Sequence, residues 1–488
     1  MSVRCHTVTL ALAAVAASAQ AGAGAAQPCR IDGLVHEVQC GSVARPLDPT
    51  RPDGTRIDVH YVVVPALARR KLPDPVFLLA GGPGQSAISL APAVMPVFSR
   101  LNNRRDIVFV DQRGTGRSAP LDCAEPREAG LGAAADTEAQ LRRLAACKER
   151  LLKLPHVKEA ADLGFFTTTL AMQDLDAVRQ AIGAERINLV GASYGTRAAL
   201  EYQRQFPQAL RRSVLDGVAP PDMVLPVSAA ADAQAALDAL FAACAAEAAC
   251  AREWPTLRQA WDSLLASLPR DVTVADPLSG RPASFRLTRD LLLGAVRAPL
   301  YVPVLAAALP ATITAAAQGR YEALSALAGA LSRRGAPRLY TGMHFSVVCA
   351  EDAPRVAASA STPTRDFGSG LAPLYERACA NWPRGAVPEA FYRIGASATP
   401  VLLLSGGIDP ATPPRHAERM AAALGTQARH VVVPQAGHGL LGSGCVPDLL
   451  FRFLDTPADD QALALDASCA TAMPRPPAFV PPLPEPTE

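Results

Sequence analysis

The 488-residue chain has little excess charge and few aromatic residues. Its 47 lysines and arginines nearly balance its 45 aspartates and glutamates, so the formal net charge is only +2. This balance argues against a partner that is a nucleic acid or an anionic membrane surface. Aromatic residues make up only 5% of the chain, although 49% of its residues are hydrophobic. The abundant alanines therefore predict helices rather than a core of large aromatic side chains.

Long hydrophobic runs are absent beyond the first 26 residues. Arg4 precedes an apolar, alanine-rich stretch at 8–19, and small residues continue to Ala26. This pattern predicts an export signal over residues 1–26, with cleavage after Ala19 or, preferably, after Ala26. The apolar stretch is too short to span a bilayer comfortably, so we expect no stable membrane insertion. The protein is therefore expected to be secreted or periplasmic.

The 11 cysteines lack the spacing of a metal site. They form no Cys-x-x-Cys pair and have no clustered histidines beside them, so we expect no bound metal. Without Cys5, which lies in the export signal, ten remain, and an even number suits disulfides in an oxidising compartment. Connectivity does not follow from the sequence alone, but sequential neighbours favour five local bridges: Cys29 with Cys40, Cys123 with Cys147, Cys244 with Cys250, Cys349 with Cys379, and Cys445 with Cys469.

Short apolar runs alternate with helical patterns in the first half of the chain. Strands are predicted at 57–64, 76–80, 107–110, 187–190, 213–215, 401–404 and 430–433, and a helix at 168–182. Several of these runs are continuously apolar, which is typical of parallel strands covered on both faces. Between about 220 and 396, long alanine- and leucine-rich patterns replace this alternation.

The sequence therefore predicts a mostly parallel α/β sheet that is interrupted by an inserted helical cap. The predicted core occupies 27–219 and 397–472, and the cap occupies 220–396. A proline-rich tail at 473–488 is expected to run extended over the surface and to carry no chemistry.

A Gly-x-Ser-x-Gly motif lies between a predicted strand and a predicted helix, at Gly191-Ala192-Ser193-Tyr194-Gly195. Flanking glycines allow the sharp, strained turn that exposes a serine hydroxyl as a nucleophile. Because such a motif also occurs by chance, its position after a strand and before a helix is the stronger argument. Ser193 is the predicted nucleophile, and the Tyr194 N–H is predicted to face the developing oxyanion.

A serine nucleophile needs a base and an orienting carboxylate. Asp409 follows the predicted strand at 401–404, and His438 lies between two glycines after the strand at 430–433. Asp409 alone is also consistent with an ordinary turn aspartate before proline, and His438 with a structural loop histidine. The order serine, acid, histidine is the order of the α/β-hydrolase fold, and this joint order favours a catalytic triad.

A glycine-rich loop, Gly81-Gly82-Pro83-Gly84, follows the early strand at 76–80. Glycines let backbone N–H groups approach a substrate carbonyl that side chains would otherwise obstruct. Gly82 is the predicted second donor of the oxyanion hole. The alternative is a plain tight turn.

Three segments resemble the proline iminopeptidase family, and the whole chain is most similar to its longer, secreted relatives of the tripeptidyl aminopeptidase type. The segments are Gly81-Gly82-Pro83-Gly84, Asp111-Gln112-Arg113-Gly114-Thr115-Gly116-Arg117-Ser118 and Gly191-Ala192-Ser193-Tyr194-Gly195-Thr196. The chain departs from the shorter iminopeptidases at Ala80, where they have histidine. The resemblance implies an α/β-hydrolase fold and an exopeptidase that acts on peptides with a free amino terminus.

The resemblance also implies roles for four further residues. Glu351 and Asp352, in the predicted cap, would bind the substrate ammonium, with a solvated acidic turn as the alternative. Asp111 and Arg113 resemble a structural ion pair beneath the active-site loops. No cofactor is implied. A carboxylic-ester hydrolase and, more remotely, an inactive binding protein remain alternatives, and the oligomeric state is left open.

Overall fold

The computed structural model describes residues 26–123, 136–276, 280–330, 338–359 and 363–480. The predicted export signal, with Cys5, lies outside these residues except for Ala26. The strands, in chain order, are β1 (Gln27–Cys29), β2 (Val38–Pro46), β3 (Arg56–Val64), β4 (Val76–Leu79), β5 (Ile107–Val110), β6 (Ile187–Ala192), β7 (Leu210–Asp216), β8 (Arg270–Ala275), β9 (Pro282–Leu287), β10 (Val401–Gly406) and β11 (Ala428–Val433).

The helices surround this framework. In chain order they are α1 (Ala87–Asn102), α2 (Thr137–Leu151), α3 (Thr168–Ala181), α4 (Tyr194–Gln205), α5 (Leu225–Ala246), α6 (Ala248–Glu253), α7 (Leu257–Ala266), α8 (Arg289–Leu300), α9 (Pro303–Ala306), α10 (Leu309–Ala317), α11 (Glu322–Ala328), α12 (Thr341–Glu351), α13 (Ala372–Cys379), α14 (Pro414–Leu424), α15 (Val446–Asp455), α16 (Asp459–Leu463) and α17 (Ser468–Thr471). Short 3₁₀ helices connect several of them.

Nine strands form one central sheet in the order β1-β2-β3-β5-β4-β6-β7-β10-β11. The pairs β1–β2, β2–β3 and β3–β5 are antiparallel, and all the other neighbours in this sheet are parallel. The mostly parallel sheet predicted from the sequence is therefore confirmed. The sequence did not predict β2, because its mixed polar and apolar residues are only partly buried and give no clear alternation.

The sheet is covered on both faces, as its continuous apolar strands require. In β4, Val76 and Leu78 pack into one hydrophobic cluster, whereas Phe77 and Leu79 pack into another on the opposite face. Helices α1 and α15 contribute to the first cluster, and α3, α4 and α14 contribute to the second. The parallel strands therefore end at one rigid edge, where loops can hold catalytic side chains.

The segment between β7 and β10 has a hydrophobic cluster of its own, centred on the fully buried Trp261. It is mostly helical, but β8 and β9 form an antiparallel hairpin that the sequence analysis did not predict. The long alanine- and leucine-rich pattern is also divided into short helices near its prolines, since Pro303 is the first residue of α9 and Pro310 is the second residue of α10. Helix α5 is long and apolar enough to cross a membrane, yet half of its most apolar window is buried inside the protein.

Five disulfides join the cysteines in the predicted sequential pairs. The partners are separated by 6 to 30 residues, so every bridge closes a local loop. The part of the proline-rich tail that the structure describes has no regular secondary structure, as expected. It nevertheless packs against the cluster of the β7–β10 segment through Ala478 and Val480, and the Phe479 N–H donates to the Ala307 carbonyl.

Candidate active site

Ser193 occupies a sharp turn between β6 and α4. Its backbone angles are φ 56° and ψ −123°, a strained region for a residue that is not glycine. Neither glycine of the motif leaves room for a side chain. A Cβ on Gly191 would lie 2.4 Å from the Gly195 carbonyl oxygen, and one on Gly195 would lie 2.1 Å from the Leu79 carbonyl oxygen. The local sequence therefore permits the turn that presents the Ser193 hydroxyl.

Asp409 and His438, which are 29 residues apart in sequence, meet at the carboxyl ends of β10 and β11. The His438 Nδ1 lies 2.8 Å from the Asp409 Oδ2. Asp409 is buried and also accepts hydrogen bonds from the backbone N–H groups of Ala411 and Thr412, at 2.7 and 2.9 Å. With Nδ1–H donating to the carboxylate, Nε2 is left to accept a proton.

The surroundings of His438 favour its charged form. Burial alone would lower the pKa of its imidazole, but the charge and hydrogen bond of Asp409 outweigh burial and raise the pKa above its ordinary value of 6.5. In turn, the pKa of the Asp409 carboxyl is lowered, because His438 and Thr412 outweigh the effect of burial. The backbone carbonyl of Tyr301 accepts the backbone N–H of His438 at 2.9 Å, and the two rings meet edge to face with their centroids 5.2 Å apart.

The glycine-rich loop after β4 lies against the nucleophile. A Cβ built on Gly81 would lie 3.1 Å from the Ser193 Cβ. Gly82 is exposed and has φ +112°, a conformation that favours glycine. The His344 Nδ1 contacts the Pro83 carbonyl oxygen at 3.1 Å. Gly81 therefore approaches the Ser193 side chain, and the roles of the Gly82 and Tyr194 N–H groups as oxyanion donors stay a prediction.

Asp216, at the end of β7, is a site residue that the sequence reasoning missed. Its backbone carbonyl accepts the Ser193 N–H at 2.8 Å, and its Oδ2 accepts the N–H groups of Leu440 and Leu441 at 2.7 and 3.0 Å. Burial raises the pKa of its carboxyl to about 6. Asp216 thus connects the turn of Ser193, through hydrogen bonds, to the loop that follows His438. An acid at a strand's carboxyl end, next to the nucleophile's strand, was the available signal.

Thr412 is a second missed residue. Its Oγ1 lies 2.7 Å from the Asp409 Oδ2 and 3.0 Å from the His438 Nδ1. A Cβ on the neighbouring Gly217 would come within 2.8 Å of this hydroxyl, so glycine is needed there. Thr412 therefore helps to fix the orientation of the acid and the imidazole. Its distance of three residues from Asp409 gave no signal by itself.

The structure corrects the expectation that Glu351 and Asp352 bind a substrate ammonium. Both side chains are 1% exposed, and both are engaged by other groups of the protein. Asp352 pairs with Arg197 on α4 at 3.0 Å, and Glu351 accepts hydrogen bonds from the Thr168 N–H and hydroxyl at 2.8 and 3.0 Å. Burial raises the pKa of Glu351 to about 7. These acids brace the helix that follows the nucleophile.

Replacing Arg197 with methionine should strongly destabilise the fold. The change removes the cation and leaves two buried carboxylates side by side, so we expect the free energy of unfolding to fall by about 3–5 kcal/mol. Denaturant unfolding measures the loss. Arg365→Met is the matched control, since its exposed ion pair with Asp262 should contribute at most about 1 kcal/mol. Equal losses in the two variants would contradict the buried network.

The expected ion pair between Asp111 and Arg113 is wrong. Arg113 instead pairs with Asp174 on α3 at 2.7 Å. Asp111 accepts hydrogen bonds from the Ser86 hydroxyl at 2.6 Å and from the Ile88 N–H at 3.1 Å. The two side chains therefore have different partners. Asp111 therefore supports the start of α1, whereas Arg113 joins the loop after β5 to α3.

Comparisons with known proteins agree with this fold. Residues 74–269 match the family described as alpha/beta hydrolase fold, and residues 364–469 match the family of TAP-like proteins. The chain is 32% identical to tripeptidyl aminopeptidase of Streptomyces lividans over 214 residues, which cover 40% of this chain and 38% of the relative. It is 28% identical to serine protease Hip1 of Mycobacterium tuberculosis over 465 residues, covering 85% and 84%.

Another relative and a solved structure complete the comparison. The chain is 29% identical to carboxylesterase B of M. tuberculosis over 425 residues, covering 80% of this chain and 79% of the relative. The structure of proline iminopeptidase from Mycobacterium smegmatis aligns over its whole length and covers 87% of this chain, at 17% identity and a TM-score of 0.38. The strand order, the turn at Ser193 and the two family matches give one conclusion. The chain has the α/β-hydrolase fold and is similar to hydrolases of that fold, among them tripeptidyl aminopeptidase.

Proposed function

We propose that this protein is a serine aminopeptidase, with Ser193, His438 and Asp409 as its catalytic triad. The observation that carries the proposal is the 2.8 Å contact between the Asp409 Oδ2 and the His438 Nδ1, beside the strained turn of Ser193. This contact holds the imidazole in the tautomer whose Nε2 can accept a proton. A buried acid, an imidazole and a serine in a sharp turn are the parts that acyl transfer needs.

In the proposed mechanism, the Ser193 oxygen attacks the scissile carbonyl while His438 takes the hydroxyl proton. Asp409 stabilises the imidazolium without taking its proton. The carbonyl oxygen becomes an oxyanion, which accepts hydrogen bonds from the Tyr194 and Gly82 N–H groups. His438 then protonates the leaving amine as the C–N bond breaks. Water, deprotonated by His438, releases the acyl group and restores the serine.

A peptide substrate with a free amino terminus is supported by the relatives. One is named tripeptidyl aminopeptidase and another serine protease, although the chain spans only 38% of the length of the first. The five disulfides support a secreted or periplasmic location, because such bonds persist in oxidising compartments. The predicted domain boundaries, with a cap at 220–396, belong to the same proposal.

A carboxylic-ester hydrolase is the second candidate. It is favoured by the similarity to carboxylesterase B, which extends over 80% of this chain. The same serine, histidine and acid would cleave esters, whose leaving alkoxides need less assistance than amines. The two candidates differ in the substrate and not in the triad.

Acetylating the substrate's amino terminus should slow hydrolysis at least about a hundredfold. An exopeptidase must give the ammonium buried hydrogen-bond acceptors in place of water, and acetylation leaves those acceptors without their partner. The measurement is kcat/KM for p-nitroanilide peptides of one to three residues, each with a free and an acetylated amino terminus. A p-nitrophenyl ester of acetate, which has no amine, serves as the internal standard.

Equal rates on free and acetylated peptides would contradict the aminopeptidase. Hydrolysis of esters without hydrolysis of either peptide series would favour the ester hydrolase.

A further inference from the structure

A cavity of about 250 Å³ adjoins the loop of His438. The long wall of the cavity is formed by one face of α8 and by the residue that follows the helix. The wall residues recur at spacings of three and four, as expected for one helix face, and are Asp290, Leu293, Gly294, Arg297 and Tyr301. The opposite walls are mostly apolar, with contributions from Ala229, Ala230, Phe367 and Leu371. A Cβ built on Gly294 would meet no described atom within 4 Å, so the helix leaves open space at this point.

Tyr301 lines the cavity and also contacts His438. The Tyr301 carbonyl accepts the His438 N–H, and its ring packs edge to face on the imidazole. The guanidinium of Arg297 lies over the same tyrosine ring, 5.3 Å from its centroid. Among the effects on His438, the charge of Arg297 opposes protonation, whereas Asp409 favours it. A group bound beside Arg297 therefore lies close to the reacting atoms.

Among the residues that the structure describes, Arg297 has no acidic partner, unlike the other inward-facing arginines. Arg113, Arg197 and Arg212 are buried, and each contacts a carboxylate. Arg297 is half-buried, and within the described ranges no carboxylate lies within ion-pairing distance of it. Its Nε is buried without a hydrogen-bond partner there. Asp290 lines the same cavity but lies two helical turns away, about 10 Å along the axis.

A guanidinium that contacts a tyrosine but no carboxylate, in a mostly apolar pocket, is suited to bind an anion. Charge-assisted hydrogen bonds to a carboxylate are stronger in such a pocket than in water, and burying the cation without a partner is costly. We propose that the cavity holds the side chains of the residues that the enzyme releases, and that Arg297 selects an acidic side chain among them. This inference rests on the proposed aminopeptidase and names its substrate class, which is peptides with glutamate or aspartate near the amino terminus.

The size of the cavity suits the side chains of the residues that the enzyme would release from the amino terminus of its substrate. A space of about 250 Å³ holds one or two side chains, whereas the rest of a polypeptide substrate needs an open path. The apolar walls suit the methylene groups of glutamate, and among the described residues that line the space Arg297 provides the only cation.

The test uses amino-free p-nitroanilide peptides of one to three residues with glutamate, glutamine or lysine at each position in turn and alanine elsewhere. At one position the native enzyme should prefer glutamate to glutamine by about tenfold or more in kcat/KM. In Arg297→Met this ratio should fall to about one. In Arg297→Glu the enzyme should prefer lysine to glutamate. Arg320→Met is the matched control, because Arg320 is exposed and does not line the cavity.

A second variant tests the cavity without changing its charge. Gly294→Leu should fill the open space beside Arg297 and raise KM for all the peptides. A glutamate preference that is missing in the native enzyme, or that survives in Arg297→Met, would overturn the inference while the aminopeptidase stands. If the native enzyme cleaves the ester and none of the peptides, the proposed function fails, and this inference fails with it.

Discussion

Replacing Ser193 or His438 with alanine should lower kcat by about six orders of magnitude, and the double variant should lose little more. The losses do not add because the hydroxyl and the imidazole act in one step. Without the base the serine is a poor nucleophile, and without the serine the base has no proton to accept. The measurement is single-turnover hydrolysis of an activated ester and of an amino-free peptide by the native enzyme and the three variants.

Labelling by a fluorophosphonate gives an independent readout of the same residues. The reagent should modify the native enzyme at Ser193 and leave Ser193→Ala unlabelled. Ser405→Ala is a suitable control, since Ser405 is a buried serine in β10 that hydrogen-bonds to His430 and not to His438. Activity near the native level in either single variant would remove that residue from the catalytic mechanism. A native enzyme that is not labelled would promote the inactive binding protein.

Replacing Asp409 with asparagine should lower kcat by about four orders of magnitude. Asparagine keeps the shape of the side chain but can present an N–H to His438, which would then hold the imidazole in the wrong tautomer. Thr412 remains beside both groups in this variant, so the loss measures the carboxylate rather than the collapse of the loop. Asp460→Asn, an exposed change of the same charge, should have no effect.

The pH dependence of the Asp409→Asn variant shows whether Asp409 raises or lowers the pKa of His438. Activity requires neutral His438, so the acidic limb of the native profile should lie above the ordinary imidazole pKa of 6.5. Without the carboxylate's charge, burial dominates and lowers the pKa, so the limb should move to lower pH. The measurement is the residual kcat/KM between pH 5 and 9. A limb that stays in place would mean that Asp409 does not act on His438.

Local sequence patterns were sufficient for most of the sheet. The runs at 76–80, 107–110 and 187–190 were recognised because burial on both faces leaves a strand almost wholly apolar. The turn at Ser193 was recognised from Gly191 and Gly195. Both positions need glycine, because other backbone atoms lie too close for a side chain. The order of Ser193, Asp409 and His438 follows from the topology of the sheet, in which successive strands end at one edge.

The buried polar network was beyond the reach of the sequence. Arg197 and Asp352 are 155 residues apart, and Arg113 and Asp174 are 61 apart. The residues next to an acid in the sequence do not indicate which arginine will neutralise it. Glu351 and Asp352 therefore looked available to a substrate. Asp216 was missed for the same reason, because its partners Leu440 and Leu441 lie more than 200 residues away. Sequence patterns predict well which residues are buried, but they do not predict which residues form ion pairs or hydrogen bonds with each other.

The order of the cysteines has a consequence for how the protein can be produced. Every bridge joins a cysteine to the next one along the mature chain, with no other cysteine between the two partners. When the chain enters an oxidising compartment amino terminus first, the next thiol to arrive is always the native partner. An oxidase that links thiols in order of arrival therefore makes the native set directly. Expression should then depend on a thiol oxidase and not on a disulfide isomerase.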